Sequence, residues 1–314
     1  MEANRFTKTL ILTSVACLIV YYFPNSNEVN KFLYTESSYF SSEPNPSPPE
    51  TESSLNGEEY WSTEEKELCN NPDVDKTWTR IDALCFAIRR GLELSKIEVI
   101  SWSNPVLVVY RDMFTKKQIK GYSQVFKKSE VEPEKVFDQN GKLYISSTRI
   151  VNGSTTPASI HPEVQSIVDT ANRLIPSMNF QYTEPVLGLS YLPGGHITVH
   201  HDFVEFDVEA PEEAFLDMGN RMTTFIISVE KADVGGATVF PSIKATVRPN
   251  PGDAFMWFNL LENQEIDNSA FHGGCPVLAG RKLITTIWLR SKGQHIFDTV
   301  EGKKQSFNAR ELLR

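Results

Sequence analysis

Residues 183–203 read Thr183-Glu-Pro-Val-Leu-Gly-Leu-Ser-Tyr-Leu-Pro-Gly-Gly-His-Ile-Thr-Val-His-His-Asp-Phe203. Two short runs rich in β-branched and aromatic residues, 183–192 and 196–203, are broken by Pro193-Gly194-Gly195. That is the signature of strand, turn and strand. The pattern recurs downstream at 221–230, 236–241, 244–248, 253–259 and 281–290, each run bounded by Gly, Pro, Asn or Asp. Several short strands punctuated this way predict a β-sandwich or jelly roll. Upstream the texture is different. Ser62-x-x-Glu65 and Thr115-x-x-Gln118 have the form of helix capping boxes, and Phe114 and Ile119 are spaced as a hydrophobic staple around the second. Ile81–Arg90 reads as a helix stopped by Gly91, and Pro105–Tyr110 as a strand. In the segment 161–174, Val164, Ile167, Val168 and Ala171 fall at helical spacing, Ile175 continues it, and Pro176 ends it. The expected architecture is mostly β with flanking α-helices: N-terminal helices first, then an antiparallel β core.

The chain has 314 residues, of which 40% are hydrophobic and 23% charged, as in ordinary globular proteins. Its net charge of -9 gives no basic face for nucleic acid, and no CxxC pair supports a zinc finger. The N-terminus stands apart: Thr9–Phe23 is an uncharged apolar run of 15 residues behind Arg5 and Lys8. A membrane span needs about 20 apolar residues, so the run is read either as an uncleaved signal anchor or as a cleaved signal peptide. Both readings put residues 1–8 on the cytosolic side and the body in the secretory lumen, on the endoplasmic reticulum side of the membrane. A Ser-, Pro- and Glu-rich stretch follows and makes 24–60 a flexible stalk.

Of four cysteines, Cys17 lies in the apolar run, and Cys69 and Cys85 bracket a short segment. In an oxidising lumen those two would form a disulfide; two buried thiols are the alternative, and Cys275 has no evident partner. Asn152-Gly-Ser154 is a glycosylation sequon, usable if its loop is exposed.

Chemistry concentrates in His196-Ile-Thr-Val-His-His-Asp202. On a strand, alternate residues share a face, so His200 and Asp202 point one way and His201 the other. One further histidine would complete a 2-His-1-carboxylate facial triad for iron, with positions left for substrates. His272, flanked by glycines and a cysteine in AFHGGCPV, is the best donor. Lys282, Ile284, Thr286 and Trp288 share one face of a later strand, so the lysine reaches inward, where it needs an anion.

The surrounding text is more specific than the triad. It runs Tyr191-Leu-Pro-Gly-Gly195, Gly219-Asn-Arg221, Gly235-Gly-Ala-Thr-Val-Phe-Pro241, Pro251-Gly-Asp253, Phe255-Met-Trp-Phe-Asn-Leu260 and His272-Gly-Gly-Cys-Pro-Val-Leu-Ala-Gly280, then Lys282 and Trp288. From about residue 104 to 294 this resembles the catalytic domain of animal collagen prolyl 4-hydroxylase α subunits. The resemblance implies a double-stranded β-helix (jelly roll) and peptidyl-proline 4-hydroxylation with Fe(II), 2-oxoglutarate and dioxygen, supported by L-ascorbate. It implies that His200, Asp202 and His272 ligate iron, that Lys282 pairs with the distal carboxylate of 2-oxoglutarate, and that Tyr191 and Trp288 line that pocket. It places Arg221 near the groove for a proline-rich or collagen-like polypeptide, and it makes protein disulfide isomerase a candidate partner. The chain then divides into a tail (1–8), an anchor or signal peptide (9–23), the stalk (24–60), a helical segment (61–98), the dioxygenase domain (99–294) and a C-terminal tail (295–314).

The departures touch the substrate side. Ile197 stands where the collagen enzymes carry a tyrosine three residues before the first ligand, and Tyr144 stands where they carry an arginine. Leu283 replaces a usual tryptophan, and no cysteine follows Cys275. Two other functions compete: a 2-oxoglutarate dioxygenase acting on a different peptide side chain, and a catalytically silent binding module or hydroxylase subunit.

Overall fold

Helices begin where the capping signals stand. In helix α1 (Thr63–Cys69) the Ser62 hydroxyl accepts from the Glu65 amide, and Glu65 accepts from the Ser62 amide. Helix α2 (Lys116–Lys128) repeats the box with Thr115 and Gln118, and its last turn carries Lys127 and Lys128, favourable charges at a helix C-terminus. Helix α3 (Pro162–Leu174) opens on a proline and buries Val164, Ile167, Val168 and Ala171 on one face. This computed structural model describes residues 21–22, 57–71, 84–90, 93–137, 142–205 and 217–313. The tail, nearly all of the apolar run and most of the stalk lie outside the described residues. Among the described residues no helix is long and apolar enough to cross a membrane.

The strands that build the two main sheets are β1 (Leu84–Arg90), β2 (Glu93–Ser101), β3 (Leu107–Arg111), β4 (Arg149–Ile150), β5 (Asn152–Thr156), β6 (Val186–Tyr191), β7 (His196–His200), β8 (Arg221–Glu230), β9 (Thr238–Phe240), β10 (Ala245–Val247), β11 (Ala254–Phe258), β12 (His272–Gly274) and β13 (Lys282–Arg290). A large sheet runs β1-β2-β3-β11-β8-β13-β6-β5, with the two-residue segments Tyr21–Tyr22 and Glu132–Pro133 outside β1 and β5. A smaller sheet of five strands runs β10-β9-β12-β7-β4, antiparallel throughout. Two-residue periodicity then sorts the core. On β11, Ala254, Met256 and Phe258 pack with α2 and α3, while Phe255 and Trp257 face the smaller sheet. On β13, Leu283, Ile287 and Leu289 turn to the helices, and Ile284 and Trp288 turn to the smaller sheet. The result is three layers: helices, large sheet, small sheet. Central strands are therefore buried on both faces, each large apolar side chain contributing about 1.5–3 kcal/mol. Gly188 on β6 lets α2 settle close, since a Cβ there would lie 2.5 Å from Phe126 and 2.6 Å from the Tyr122 hydroxyl.

Three expectations are corrected. Residues 84–90 are strand β1, not helix, and the segment to 98 continues into β2, which pairs with β3. Ile97 and Val99 are buried at strand spacing, and pairing with the sheet overrides a helical pattern of only ten residues. The disulfide joins Cys69 to Cys275, not to Cys85, with Cα atoms 5.6 Å apart at a sequence separation of 206. Helix α1 lies on the smaller sheet, where the Thr246 hydroxyl donates to the Leu68 carbonyl at 2.9 Å, and so Cys69 meets the residue after β12. Cys85 sits on β1, toward the far edge of the other sheet. Asn152 lies half-buried within β5, paired with Ser190 and Pro133 on its two sides, rather than on an exposed loop.

A non-reducing digest should yield the peptide holding Cys69 linked to the one holding Cys275. Replacing both by alanine should lower stability by about 2–5 kcal/mol, whereas Cys85→Ala should leave the linkage intact. A Cys69–Cys85 peptide would contradict this arrangement.

Candidate active site

Strand register assembles the site. Strands β7 and β12 pair so that His200 lies directly opposite His272, and their rings are 4.5 Å apart. Strand β7 ends at His200, and Asp202 follows two residues later on the same side. Its carboxylate oxygens come within 3.6 Å of Nε2 of each histidine. One donor atom from each of the three residues lies within 4.8 Å of the others, and Asp202 and His272 are buried. The predicted triad is thus brought together. His201 is turned out of it, stacked on Phe203 at 3.6 Å with Nε2 3.3 Å from Glu205.

The imidazoles are oriented for ligation. Nδ1 of His200 donates to the Thr198 carbonyl at 2.8 Å, and Nδ1 of His272 to the Ala270 carbonyl at 3.0 Å. Each Nε2 lone pair is then left for the centre, the arrangement common to metal-binding histidines. Burial pushes the His272 imidazole down to about 4 against the pull of Asp202, so it is neutral near pH 7. Burial acts to raise the Asp202 carboxyl, but His272 and His200 outweigh it and hold the group well below the usual carboxylate range.

On the large sheet, Tyr191 and Lys282 are cross-strand partners on β6 and β13. Lys282 Nζ lies 4.9 Å from the centre of the Tyr191 ring and 3.4 Å from the Thr238 hydroxyl. No described carboxylate pairs with it, and burial, helped by Arg248, lowers its ammonium to about 7. Lys282, Ile284, Thr286 and Trp288 all line one cavity with Tyr191 and the triad, as strand alternation predicts. Trp288 turns a buried indole N–H toward Asp202 without reaching hydrogen-bonding geometry, and that donor has no partner among the described residues. Arg221 stacks on the Trp288 ring at 3.6 Å and is held by Glu184 at 2.7 and 2.8 Å. A buried cation without an anion and a buried donor without an acceptor flank three metal-type ligands. That donor set fits a ferrous ion and a dicarboxylate.

Sequence reasoning missed Arg149 and Glu134, which also line the cavity. Arg149 reaches it because β4 pairs with β7 and sets Arg149 opposite Ile197. A two-residue strand carries too little periodicity to announce itself. Tyr144 is exposed on a short hairpin outside the cavity lining.

Residues 187–290 match the model of the 2OG-Fe(II) oxygenase superfamily. The α-1 subunit of prolyl 4-hydroxylase from Gallus gallus is 31% identical over 196 residues, covering 62% of this chain and 37% of that subunit. The Homo sapiens α-1 subunit is 39% identical over 107 residues, 33% of this chain and 20% of the subunit. Viral collagen prolyl hydroxylase from Paramecium Bursaria Chlorella virus-1, solved with 2-oxoglutarate, superposes with a TM-score of 0.47 at 18% identity, over 59% of this chain and 95% of that one. The chain spans little more than a third of the length of the curated subunits it matches. Within the matched stretch the chain is similar to part of the prolyl 4-hydroxylase α subunits and to the 2OG-Fe(II) oxygenase superfamily model.

His200→Ala and His272→Ala should each weaken Mn(II) binding by more than about 100-fold, while His201→Ala should change it less than about threefold; these bounds reflect loss of a ligand against loss of a bystander. Equal losses in all three, measured by calorimetry, would overturn the assignment.

Proposed function

We propose that this chain hydroxylates peptidyl proline with Fe(II), 2-oxoglutarate and dioxygen. The observation that carries the reading is one cavity holding two imidazoles that each tie Nδ1 to a backbone carbonyl, an ionised carboxylate and a buried unpaired lysine. His200, Asp202 and His272 would hold the iron, and Lys282 the far carboxylate of 2-oxoglutarate, with Tyr191 and Trp288 walling the cosubstrate. Bound iron would use dioxygen, with one oxygen atom ending in succinate as 2-oxoglutarate loses carbon dioxide and the other converting C–H to C–OH. The chain's own part is to present Nε2 of both histidines, to keep Asp202 ionised, to neutralise the dicarboxylate and to exclude water with Ile197, Ile226 and Ile284. Ascorbate would maintain the ferrous state.

A proline-rich or collagen-like polypeptide is the proposed substrate, entering past Arg221 and Trp288. Ile197 and Tyr144 favour a second reading, the same chemistry on a different peptide side chain. The convergence of every ligand with Lys282 speaks against a silent binding module. A disulfide across 206 residues supports work in an oxidising secretory compartment, on the endoplasmic reticulum side. We infer anchoring or import there through residues 9–23, and protein disulfide isomerase stands as a candidate partner by family likeness.

The test is mass analysis of (Pro-Pro-Gly)-type peptides incubated with the protein, Fe(II), 2-oxoglutarate and ascorbate. Gain of oxygen on proline is expected; succinate release with oxygen on another residue would select the second reading, and no turnover would overturn both. Lys282→Ala should raise the 2-oxoglutarate requirement at least about tenfold, since a charge-assisted bond is worth about 1.5–3 kcal/mol. With an ammonium near 7, Lys282 is charged below that pH and loses its proton above it. Affinity for 2-oxoglutarate should therefore fall as pH rises from about 7 to 9 in the wild type. It should stay flat in Lys282→Arg, whose guanidinium keeps its charge. A flat wild-type profile would contradict this role.

A further inference from the structure

Behind Asp202 lies a row of buried polar side chains that the chemistry above leaves unused. The Thr224 hydroxyl donates to Oδ2 of Asp202 at 2.8 Å. Asn259 Nδ2 donates to that same hydroxyl oxygen at 2.9 Å, and the Trp257 indole donates to Asn259 Oδ1 at 2.9 Å. Thr224, Trp257 and Asn259 are all fully buried. In a sheet core an apolar residue would be the ordinary occupant of any of these positions, so three polar groups in line call for a reason.

The direction of the row is fixed by chemistry. An indole N–H only donates, so it must take the Asn259 carbonyl oxygen, which turns the Asn259 amide nitrogen toward Thr224. The Thr224 oxygen then accepts, and its single hydrogen is left for Asp202. The backbone holds the middle of the row: the Asn259 amide donates to the Met222 carbonyl at 2.7 Å, and the Asp267 amide donates to the Asn259 carbonyl at 2.9 Å. Trp257 does a second thing, because its ring packs 4.4 Å from that of His272. One tryptophan thus stands behind two of the three triad side chains, one by ring contact and the other through three hydrogen bonds in series.

We propose that Trp257, Asn259 and Thr224 form a one-way hydrogen-bond relay that positions the Asp202 carboxylate, and with it His272, for metal binding. These are positioning residues, since none lines the cavity among the described residues. The relay rests on reading the triad as a metal site. With Oδ2 engaged by a donor, rotation of the carboxylate is blocked and Oδ1 is presented to the metal. Partners of this kind, one shell behind a ligand, change metal affinity by about 10–100-fold when removed.

The test measures Mn(II) affinity of the full-length chain by calorimetry, beside thermal melting of the metal-free protein. Thr224→Val keeps the shape and removes the donor, and should weaken Mn(II) at least about tenfold, while Thr224→Ser should recover affinity to within about threefold. Trp257→Phe keeps a ring against His272 but deletes the indole donor, so it should weaken Mn(II) in the same direction and serves if Thr224→Val does not fold. The double variant Thr224→Val with Trp257→Phe should bind no worse than Thr224→Val, because two cuts in one line are not additive. Wild-type Mn(II) affinity in either single variant, whatever the melting temperature, overturns the relay alone. A wild-type protein that does not bind Mn(II) overturns the triad reading and the relay with it.

Discussion

A buried carboxylate governs the architecture of the cavity. Desolvating Asp202 costs several kcal/mol unless every lone pair finds a partner. The Thr224 hydroxyl supplies one hydrogen bond, and the two imidazoles at 3.6 Å supply favourable dipoles. Lys282, buried in the same cavity, would be the natural counter-ion, yet the two opposite charges do not pair. Asp202 follows the end of a strand in one sheet, and Lys282 begins a strand in the other. Each is held by its own strand, and both line one cavity with His200 and His272.

That separation demands stiff walls. The large sheet is covered by helices on one face and by the smaller sheet on the other, so β8, β11 and β13 have no solvent-facing side along which to relax. The smaller sheet, which carries His200 and His272, is short-stranded and exposed on its outer face to α1. There the Cys69–Cys275 bond ties α1 to the chain three residues past His272, and Trp61 fills the space beside it. The segment around α1 therefore acts as part of the site's scaffold, although it contributes no ligand.

Local chemistry made a good part of this readable in advance. Alternation on a strand put His200 with Asp202 and excluded His201, and the same rule aimed Lys282 and Trp288 inward. The segment read as 281–290 is the strand Lys282–Arg290, and both capping boxes form as spelled. What stayed hidden depends on distant pairing. The β1–β2 hairpin is a short run whose helical and strand periods are hard to separate until β3 is beside it. The pairing of Cys69 with Cys275 needs α1 to lie on the smaller sheet, which no spacing reveals. Thr224 and Asn259 look like any strand threonine and turn asparagine, and only the fold lines them up behind Asp202.

The central claim is that the triad binds a metal and Lys282 binds the cosubstrate in the interval between them. Anomalous diffraction from crystals soaked with Mn(II) and 2-oxoglutarate tests it most directly. The account predicts one peak within about 2.0–2.3 Å of His200 Nε2, an Asp202 oxygen and His272 Nε2, an ordinary range for such ligands, with a carboxylate of 2-oxoglutarate against Lys282 Nζ. A metal peak elsewhere, or a cosubstrate bound away from Lys282, would contradict it.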